Sequence, residues 1–279
     1  MRPSNSAVVD AEFLAAQLND SNWVVLNATI KKVGTSSEQQ VHEQIPGAIF
    51  FDIKQRFSNT ESALPNTVPL EEQFEQEVQK LGIDATINIV VYDELGIYSA
   101  PRAWWLFKAF GHQNVWVLDG GLKAWKAKGY ALESKLENSV MSTGDFKARW
   151  NASAMSTTAE MLSMINDEEH CILDARSADR FFARVPEPRA DLRGGHIPSS
   201  QNVPFTEVLE GGFLKNEAAL KAIFENYVAK NVLPVFTCGS GITACIIALA
   251  AYSIGIENFK IYDGSWTEWA TTPELPIEK

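Results

Sequence analysis

The chain has 279 residues, of which 46% are hydrophobic and 21% charged, and its formal net charge is -11. This composition predicts a globular protein of one large or two ordinary domains. Its acidity argues against nucleic acid and anionic membranes as partners, because both bind basic surfaces. No run reaches the roughly 18 apolar residues of a membrane span, and the start of the chain, Met1 to Asn5, lacks the apolar core of a secretory signal. We therefore expect a cytoplasmic protein.

The sequence contains two similar halves, related by an offset of 144 residues. Similar segments earlier in each half keep the same order at offsets of 147 and 152. Such order predicts two copies of one domain. The identical pairs at the offset of 144 include Ala100/Ala244, Gly111/Gly255, Asn114/Asn258, Asp119/Asp263, Gly120/Gly264 and Trp125/Trp269.

Short apolar runs alternate with amphipathic stretches in each copy, which predicts an α/β fold with a parallel sheet. Ligands of such sheets lie beyond the carboxyl ends of the strands. In chain order, the second copy is predicted to contain a strand at 170–175, a short strand at 201–205, a helix at 218–228, a strand at 233–237, a helix at 242–254 and a strand at 259–262.

The cysteine and histidine patterns give no sign of a disulfide scaffold or a metal site. The three cysteines are an odd and sparse set, which favours a reducing compartment, and Cys171 and Cys245 fall in apolar runs where a buried side chain is expected. No CxxC pair or Cys/His ligand spacing occurs, so we expect neither a metal nor a cofactor. The four histidines are scattered at His42, His112, His170 and His196.

Cys238 is the residue most clearly marked for chemistry. It follows a strand-like run and opens a loop containing two glycines, a serine and a threonine, before an apolar helix that begins near Ala244. Glycines let several N–H groups converge on one point, and a helix start adds positive potential, so the thiol should ionise easily beside a bound anion. Glu94 occupies the corresponding position of the first copy, so only the second copy is expected to be catalytic. Ala244 stands where cysteine phosphatases carry an arginine, which excludes that class.

Five arginines and no lysine fall within residues 176–193. Guanidinium groups bind carboxylates with two parallel hydrogen bonds, so in an acidic chain this segment is a candidate site for a small carboxylate. The alternative is a surface loop of ion pairs, because Asp179, Glu187 and Asp191 are interleaved with the arginines. For Arg176 we expect a buried ion pair with Asp174.

For the other polar and aromatic residues singled out by the sequence, a structural role is the first interpretation. His196, in a Gly-Gly-His-Ile-Pro turn, is expected to hold that turn by hydrogen bonds, with acid–base chemistry as the alternative. Arg102 either faces the active cleft or pairs with Glu94, and the sequence does not decide. Six tryptophans at apolar spacing are expected in the core and in inter-domain packing: Trp104, Trp105, Trp116, Trp125, Trp266 and Trp269.

Taken together, these features resemble the two-domain rhodanese superfamily of sulfurtransferases over almost the whole chain. Within it, the Cys238 loop is most similar to that of the 3-mercaptopyruvate sulfurtransferases, because thiosulfate sulfurtransferases typically carry basic residues where Gly239 and Ser240 stand. The resemblance implies two tandem rhodanese-like domains, each a parallel sheet flanked by helices, at 1–140 and 158–279 with a linker at 141–157. The residues that carry it are Val90-Val91-Tyr92-Asp93, Ala100-Pro101-Arg102-Ala103-Trp104-Trp105, Gly195-His196-Ile197-Pro198 and Tyr262-Asp263-Gly264-Ser265-Trp266.

The resemblance also implies a reaction. Sulfur from 3-mercaptopyruvate, with thiosulfate as a possible second donor, would pass through a Cys238 persulfide to cyanide or a thiol such as that of thioredoxin, and pyruvate would be released. Ser240 would take part in proton movement, and Arg180 and Arg189 would bind the carboxylate and keto oxygen. The loop residues expected to hold substrate or persulfide are Gly239, Gly241, Ile242 and Thr243.

One position departs from the family pattern. Members often carry a histidine before Ile-Pro-Gly in the first copy, where it is proposed to assist the serine, but here Gln44 stands there, with His42 two residues earlier. An amide cannot shuttle a proton, so a histidine-assisted serine is not expected. Two alternatives to the main interpretation stay open: a thiosulfate sulfurtransferase and a non-catalytic persulfide carrier.

Overall fold

A computed structural model describes residues 6–30, 43–134 and 142–279. Met1 to Asn5, His42 and residue 141 of the predicted linker lie outside these ranges. The chain forms two compact units, and each takes one short segment from the opposite half of the sequence. The first unit is Met1–Thr60, Val68–Trp150 and Gly211–Leu214, and the second is Glu61–Thr67, Asn151–Glu210 and Lys215–Lys279. The domain limits inferred above stay a prediction, and they do not include these exchanged segments.

The first half of the chain contains seven strands and four helices among its described residues. They are β1 (Val8–Val9), α1 (Ala11–Gln17), β2 (Trp23–Asn27), β3 (Glu43–Gln44), β4 (Ile49–Phe50), α2 (Glu71–Lys80), β5 (Asn88–Tyr92), α3 (Ala100–Ala109), β6 (Val115–Leu118), α4 (Gly121–Ala127) and β7 (Glu133–Ser134).

The second half adds seven strands, five helices and two short 3₁₀ turns, Ala152–Ala154 and Phe205–Val208. The helices and strands are β8 (Met155–Ser156), α5 (Thr158–Ser163), β9 (His170–Asp174), α6 (Ala178–Phe181), β10 (Gln201–Asn202), β11 (Leu209–Glu210), β12 (Phe213–Leu214), α7 (Glu217–Phe224), β13 (Leu233–Thr237), α8 (Ala244–Tyr252), β14 (Lys260–Tyr262) and α9 (Ser265–Thr271).

Both units contain a five-stranded sheet in which every pairing is parallel. The strand orders are β1-β6-β5-β2-β4 and β8-β14-β13-β9-β10, which are the same order once the repeat offset is applied. The repeat is confirmed at single-residue resolution, because α3 begins at Ala100 and α8 at Ala244. The two central strands, β5 and β13, are apolar and buried along almost their whole length, as expected for parallel strands covered on both faces.

The element predictions for the second copy are confirmed in type and order, with shorter bounds. The strand predicted at 233–237 is β13 itself, whereas the short strand predicted at 201–205 ends at Asn202. Pro204 has no N–H to donate to a ladder, and a 3₁₀ turn starts at Phe205. The helix predicted from 242 begins at Ala244, since Gly241 has a left-handed φ of +75°.

The core is dominated by aromatic side chains. All six tryptophans assigned to it are buried, Trp116 being the most exposed at 8%. Among the described residues, no helix is long and apolar enough to cross a membrane.

The loop after β5 in the first unit encloses a carboxylate from its own chain. Asp93 is fully buried, and its side-chain oxygens accept hydrogen bonds of 2.8–2.9 Å from four backbone N–H groups. Burial raises the pKa of Asp93, and these N–H groups oppose that effect. The first loop has therefore satisfied its N–H donors internally. The donors are the backbone N–H groups of Leu95, Tyr98, Ser99 and Ala100.

Replacing Asp93 with alanine should destabilise the protein by about 3 kcal/mol or more, because several buried N–H groups lose their acceptor. Urea unfolding monitored by circular dichroism measures this loss. Asp20→Ala is the control, since that carboxylate lies near the surface and accepts its hydrogen bonds from Asn22, two residues further along the chain. Equal stabilities of the two variants would contradict the structural role given to Asp93.

Candidate active site

Cys238 is the first residue after β13 and lies at the carboxyl edge of the second sheet, with only 1% of its surface exposed. The start of α9 fastens the loop in place. The carbonyl of Cys238 accepts a 2.9 Å hydrogen bond from the N–H of Trp266. The carbonyl of Gly239 accepts bonds from the N–H and the hydroxyl of Thr267, at 3.1 and 2.7 Å. The thiol is thus held at a fixed position at the end of a central strand.

Gly241 turns the loop towards α8. Its φ of +75° is readily adopted only by glycine, and its N–H donates to the Ser265 hydroxyl at 3.0 Å. Its carbonyl accepts a 3.4 Å hydrogen bond from the thiol of Cys245. Cys245 is fully buried, as expected, and supports the loop from within the helix. Of the other predicted loop residues, Ile242 is buried and Thr243 half-buried immediately before α8.

Asn66 is the side chain that contacts Ser240. Its amide nitrogen donates to the Ser240 carbonyl at 2.8 Å and contacts the Ser240 hydroxyl at 3.1 Å, within the second unit. Gln44, at the position where family members often carry a histidine, lies in the first unit. The Gln44 amide instead donates to Ala48 and Glu133 in the first unit, both at 2.9 Å. That no histidine assists Ser240 stays a prediction.

Arg180 lies beside the cysteine loop and is held by Glu187. Its Nε and Nη2 atoms donate to the Glu187 carboxylate, which is itself buried, while 26% of the Arg180 side chain is exposed. Glu187 also accepts a 3.1 Å hydrogen bond from the fully buried Arg176. One carboxylate therefore orients two arginines, and it leaves the outer one with a surface open to solvent.

The side of the loop that faces Arg180 is Gly239. A Cβ atom at this position would lie 3.1 Å from Nη2 of Arg180, a contact tighter than real Cβ atoms usually make. With glycine at this position the guanidinium packs closely against the loop without having to move aside. The guanidinium beside Gly239 thus belongs to α6 and not to the loop.

Arg189 is placed differently from Arg180. It pairs with Asp191 at 2.8 Å, and about half of each side chain is exposed. The hydrogen bonds of its guanidinium go to Asp191 and not to the cysteine loop. A substrate-binding role for Arg189 stays a prediction.

The remaining assignments agree with the structure. Arg176 forms the expected buried ion pair with Asp174 at 2.7 Å. His196 stacks on Phe181 and bonds its carbonyl at 3.0 Å through Nδ1, consistent with the turn-holding role. Burial raises the pKa of Cys171 to about 11, as expected for an inert thiol.

Arg102, whose place the sequence left open, is fully buried, with its guanidinium over the ring of Trp105 at 4.7 Å. This contact lies within the first unit.

Two parallel α/β repeats, one carrying a buried thiol at a strand end, define a member of the rhodanese class. The rhodanese-like domain model matches the chain twice, at residues 10–128 and 157–272. The chain belongs to the rhodanese family.

Sulfurtransferases of this family are similar to the chain over most of its length. The chain is 37% identical to the 3-mercaptopyruvate sulfurtransferase of Escherichia coli K12, with 99% of each chain covered. It is 38% identical to the thiosulfate sulfurtransferase of Rattus norvegicus, covering 94% of this chain and 91% of that one. The crystal structure of the 3-mercaptopyruvate sulfotransferase SseA from Escherichia coli superimposes with a TM-score of 0.84 at 36% identity, covering 94% and 99% of the two chains.

The Glu187→Gln variant should lose about 3 kcal/mol of stability, because it leaves the buried Arg176 and the partly buried Arg180 without their shared carboxylate. The matched control is Asp191→Asn, which breaks an exposed pair in the same segment and should change stability little. Urea unfolding of both variants tests the comparison. Loss of stability in Asp191→Asn alone would contradict the assignment of Glu187 as the buried anchor.

Proposed function

We propose that the protein is a sulfurtransferase that moves the sulfur of 3-mercaptopyruvate through a Cys238 persulfide to a thiol or cyanide acceptor and releases pyruvate. The observation that carries the proposal is a guanidinium, that of Arg180, beside Gly239, the residue that directly follows the buried thiol of Cys238. The full-length similarity to 3-mercaptopyruvate sulfurtransferases supports it.

The first half-reaction forms the persulfide. The Cys238 thiolate attacks the donor sulfur, a new S–S bond forms, and the C–S bond breaks. The electron pair of that bond passes to the carbon skeleton and gives the enolate of pyruvate, which then takes up a proton. The developing negative charge lies on the keto oxygen, where Arg180 is proposed to stabilise it. Arg189 is proposed to bind the carboxylate together with Arg180.

The second half-reaction removes the outer sulfur. An acceptor thiolate, or cyanide in an assay, attacks it, and the S–S bond electrons return to Cys238. Between the two steps the outer sulfur of the persulfide is anionic. The loop N–H groups of Gly239, Ser240, Ile242 and Thr243, with the start of α8, are proposed to hold it, because the N–H of Gly241 already donates to Ser265. The corresponding loop of the first unit is filled by Asp93, whereas the second copy has Thr237 at that position.

Proton movement is assigned to Ser240, with Asn66 as its neighbour. The Asn66 amide can hold the serine hydroxyl in one orientation but cannot accept its proton. The proton that the enolate takes up is therefore proposed to come from the donor thiol or water through Ser240, and not from a protein base.

Thiosulfate is the alternative donor, because the rat thiosulfate sulfurtransferase is as similar in sequence as the 3-mercaptopyruvate enzymes. Thioredoxin is proposed as a physiological thiol acceptor. A reducing compartment such as the cytoplasm suits this chemistry, since the catalytic thiol must stay reduced, and the three cysteines of the chain are free.

Cys238→Ser should abolish pyruvate release from 3-mercaptopyruvate, because the hydroxyl cannot form a persulfide, while circular dichroism stays that of the folded protein. Cys171→Ala should retain turnover, since that thiol is buried in β9. Mass spectrometry of donor-treated protein should find one added sulfur on the Cys238 peptide of the unsubstituted protein and of Cys171→Ala, and none on the corresponding peptide of Cys238→Ser. Turnover by the Cys238→Ser variant contradicts the mechanism, and one added sulfur without repeated turnover identifies a carrier.

Arg189→Gly should lower kcat/KM for 3-mercaptopyruvate by about tenfold or more and affect thiosulfate less, because only the first donor has a carboxylate remote from its sulfur. Arg184→Gly is the matched control, because that arginine is also exposed in the same segment and pairs with Asp179 at 3.6 Å. This variant should leave kcat/KM unchanged for both donors. Equal losses on both donors in Arg189→Gly would count against its assignment as a carboxylate ligand.

A further inference from the structure

Ser265, the first residue of α9, has a backbone conformation unusual for its residue type. Its φ is +54°, in the left-handed region, and it is fully buried. This region is sterically unfavourable for residues with a Cβ, and non-glycine residues held there cluster at functional sites. At the repeat offset of 144, the corresponding residue of the first copy is Gly121, with a φ of +55°. The same turn is built with glycine in the copy that lacks the cysteine and with serine in the copy that has it.

The first unit shows why this turn favours glycine. A Cβ on Gly121 would lie 2.3 Å from the carbonyl oxygen of Asp93 and 2.4 Å from that of Gly96, which is impossible without movement of the backbone. In the second unit, space exists for a side chain at the same position. Glycine would also satisfy the backbone geometry at this position. We therefore look for the role of Ser265 in its hydroxyl group.

The Ser265 hydroxyl contacts three groups. It donates to the carbonyl of Tyr262 at 2.9 Å, accepts from the N–H of Gly241 at 3.0 Å, and lies 4.0 Å from the sulfur of Cys238. A serine hydroxyl has one proton to donate and two lone pairs to accept. When Cys238 is a thiol, its S–H donates to the second lone pair, and the hydroxyl is then fully satisfied.

The arrangement changes when the sulfur loses its proton. A thiolate only accepts hydrogen bonds, so the Ser265 hydroxyl contacts it favourably only by rotating its proton from the Tyr262 carbonyl towards sulfur. A hydrogen bond to a charged acceptor is stronger than one to a neutral carbonyl, which favours that rotation. Such contacts are often long in an unliganded site and shorten when charge develops.

We propose that the Ser265 hydroxyl is a hydrogen-bond donor to the Cys238 sulfur whenever that sulfur is anionic. This inference rests on the proposed function, in which Cys238 is the nucleophile. The sulfur is anionic before it attacks the donor and again when the acceptor thiolate bonds to the outer sulfur, the persulfide S–S bond breaks and its electron pair returns to Cys238. Ser265 thus acts on the attacking sulfur in the first half-reaction and on the leaving sulfur in the second.

The test uses Ser265→Gly and Ser265→Ala, which remove the hydroxyl with and without relief of the left-handed backbone. The measurement is the rate of alkylation of Cys238 by iodoacetamide as a function of pH, followed on the Cys238 peptide by mass spectrometry. In both variants the midpoint of this pH profile should move up by about one pH unit. The value of kcat should fall about tenfold, with a smaller change in KM.

Thr267→Val is the matched control, because it removes another hydroxyl that fastens the same loop but bonds the Gly239 carbonyl. Its alkylation midpoint should not move. In urea, Ser265→Gly should be more stable than Ser265→Ala, since only glycine relieves the left-handed backbone.

An unchanged midpoint in both Ser265 variants, or an equal shift in Thr267→Val, overturns the proposal and leaves Ser265 a residue that only shapes the loop. Alkylation needs no sulfur donor, so this result is independent of the donor assignment. Failure of the unsubstituted protein to turn over 3-mercaptopyruvate or thiosulfate would contradict the proposed function while the alkylation comparison still decides the role of Ser265.

Discussion

The attachment of the Cys238 loop to the start of α9 is the constraint on which the second unit depends. The carbonyls of Cys238 and Gly239 accept hydrogen bonds from the N–H groups of Trp266 and Thr267. The Ser265 hydroxyl accepts a hydrogen bond from the N–H of Gly241. These bonds fix the turn at the end of a central strand, where a loop without such hydrogen bonds would be less ordered. Because the turn is closed from one side by α9, the thiol and its neighbouring N–H groups have fixed positions before any substrate arrives, which is what electrostatic preorganisation requires.

The loop after the central strand differs in its chemistry between the two copies of the domain. In the first unit, four N–H groups of the loop and helix start bind the carboxylate of Asp93, so the loop is a closed structural element. In the second, the corresponding residue is Thr237, and the next residue is a cysteine. In the first copy the carboxylate therefore stabilises the loop from within, whereas the second copy has no carboxylate at the corresponding position.

Local patterns in the sequence predict the parts of the site that are close along the chain. A strand-like run that ends in Cys238-Gly239-Ser240-Gly241 before a helix marks Cys238. The five arginines at 176–193 mark a cationic segment, in which the family resemblance singles out Arg180 and Arg189. Asn66 cannot be found in this way, because it is 174 residues from Ser240 and belongs to a segment that crosses to the opposite unit. Ser265 has no polar periodicity to mark it, and only its backbone angle, which a sequence does not display, sets it apart.

The source of positive charge at the site determines which donors it suits. A Cβ at position 239 would lie 3.1 Å from Nη2 of Arg180, so a side chain there would push the guanidinium away by a few tenths of an ångström. A basic residue in the loop would place charge next to the sulfur, where a compact dianion benefits from it. With glycine at this position, Arg180 of α6 packs against the loop instead. Its guanidinium pairs with the buried Glu187, and part of the side chain remains exposed to solvent. This geometry favours a donor whose negative charge lies a few bonds away from the sulfur that it transfers.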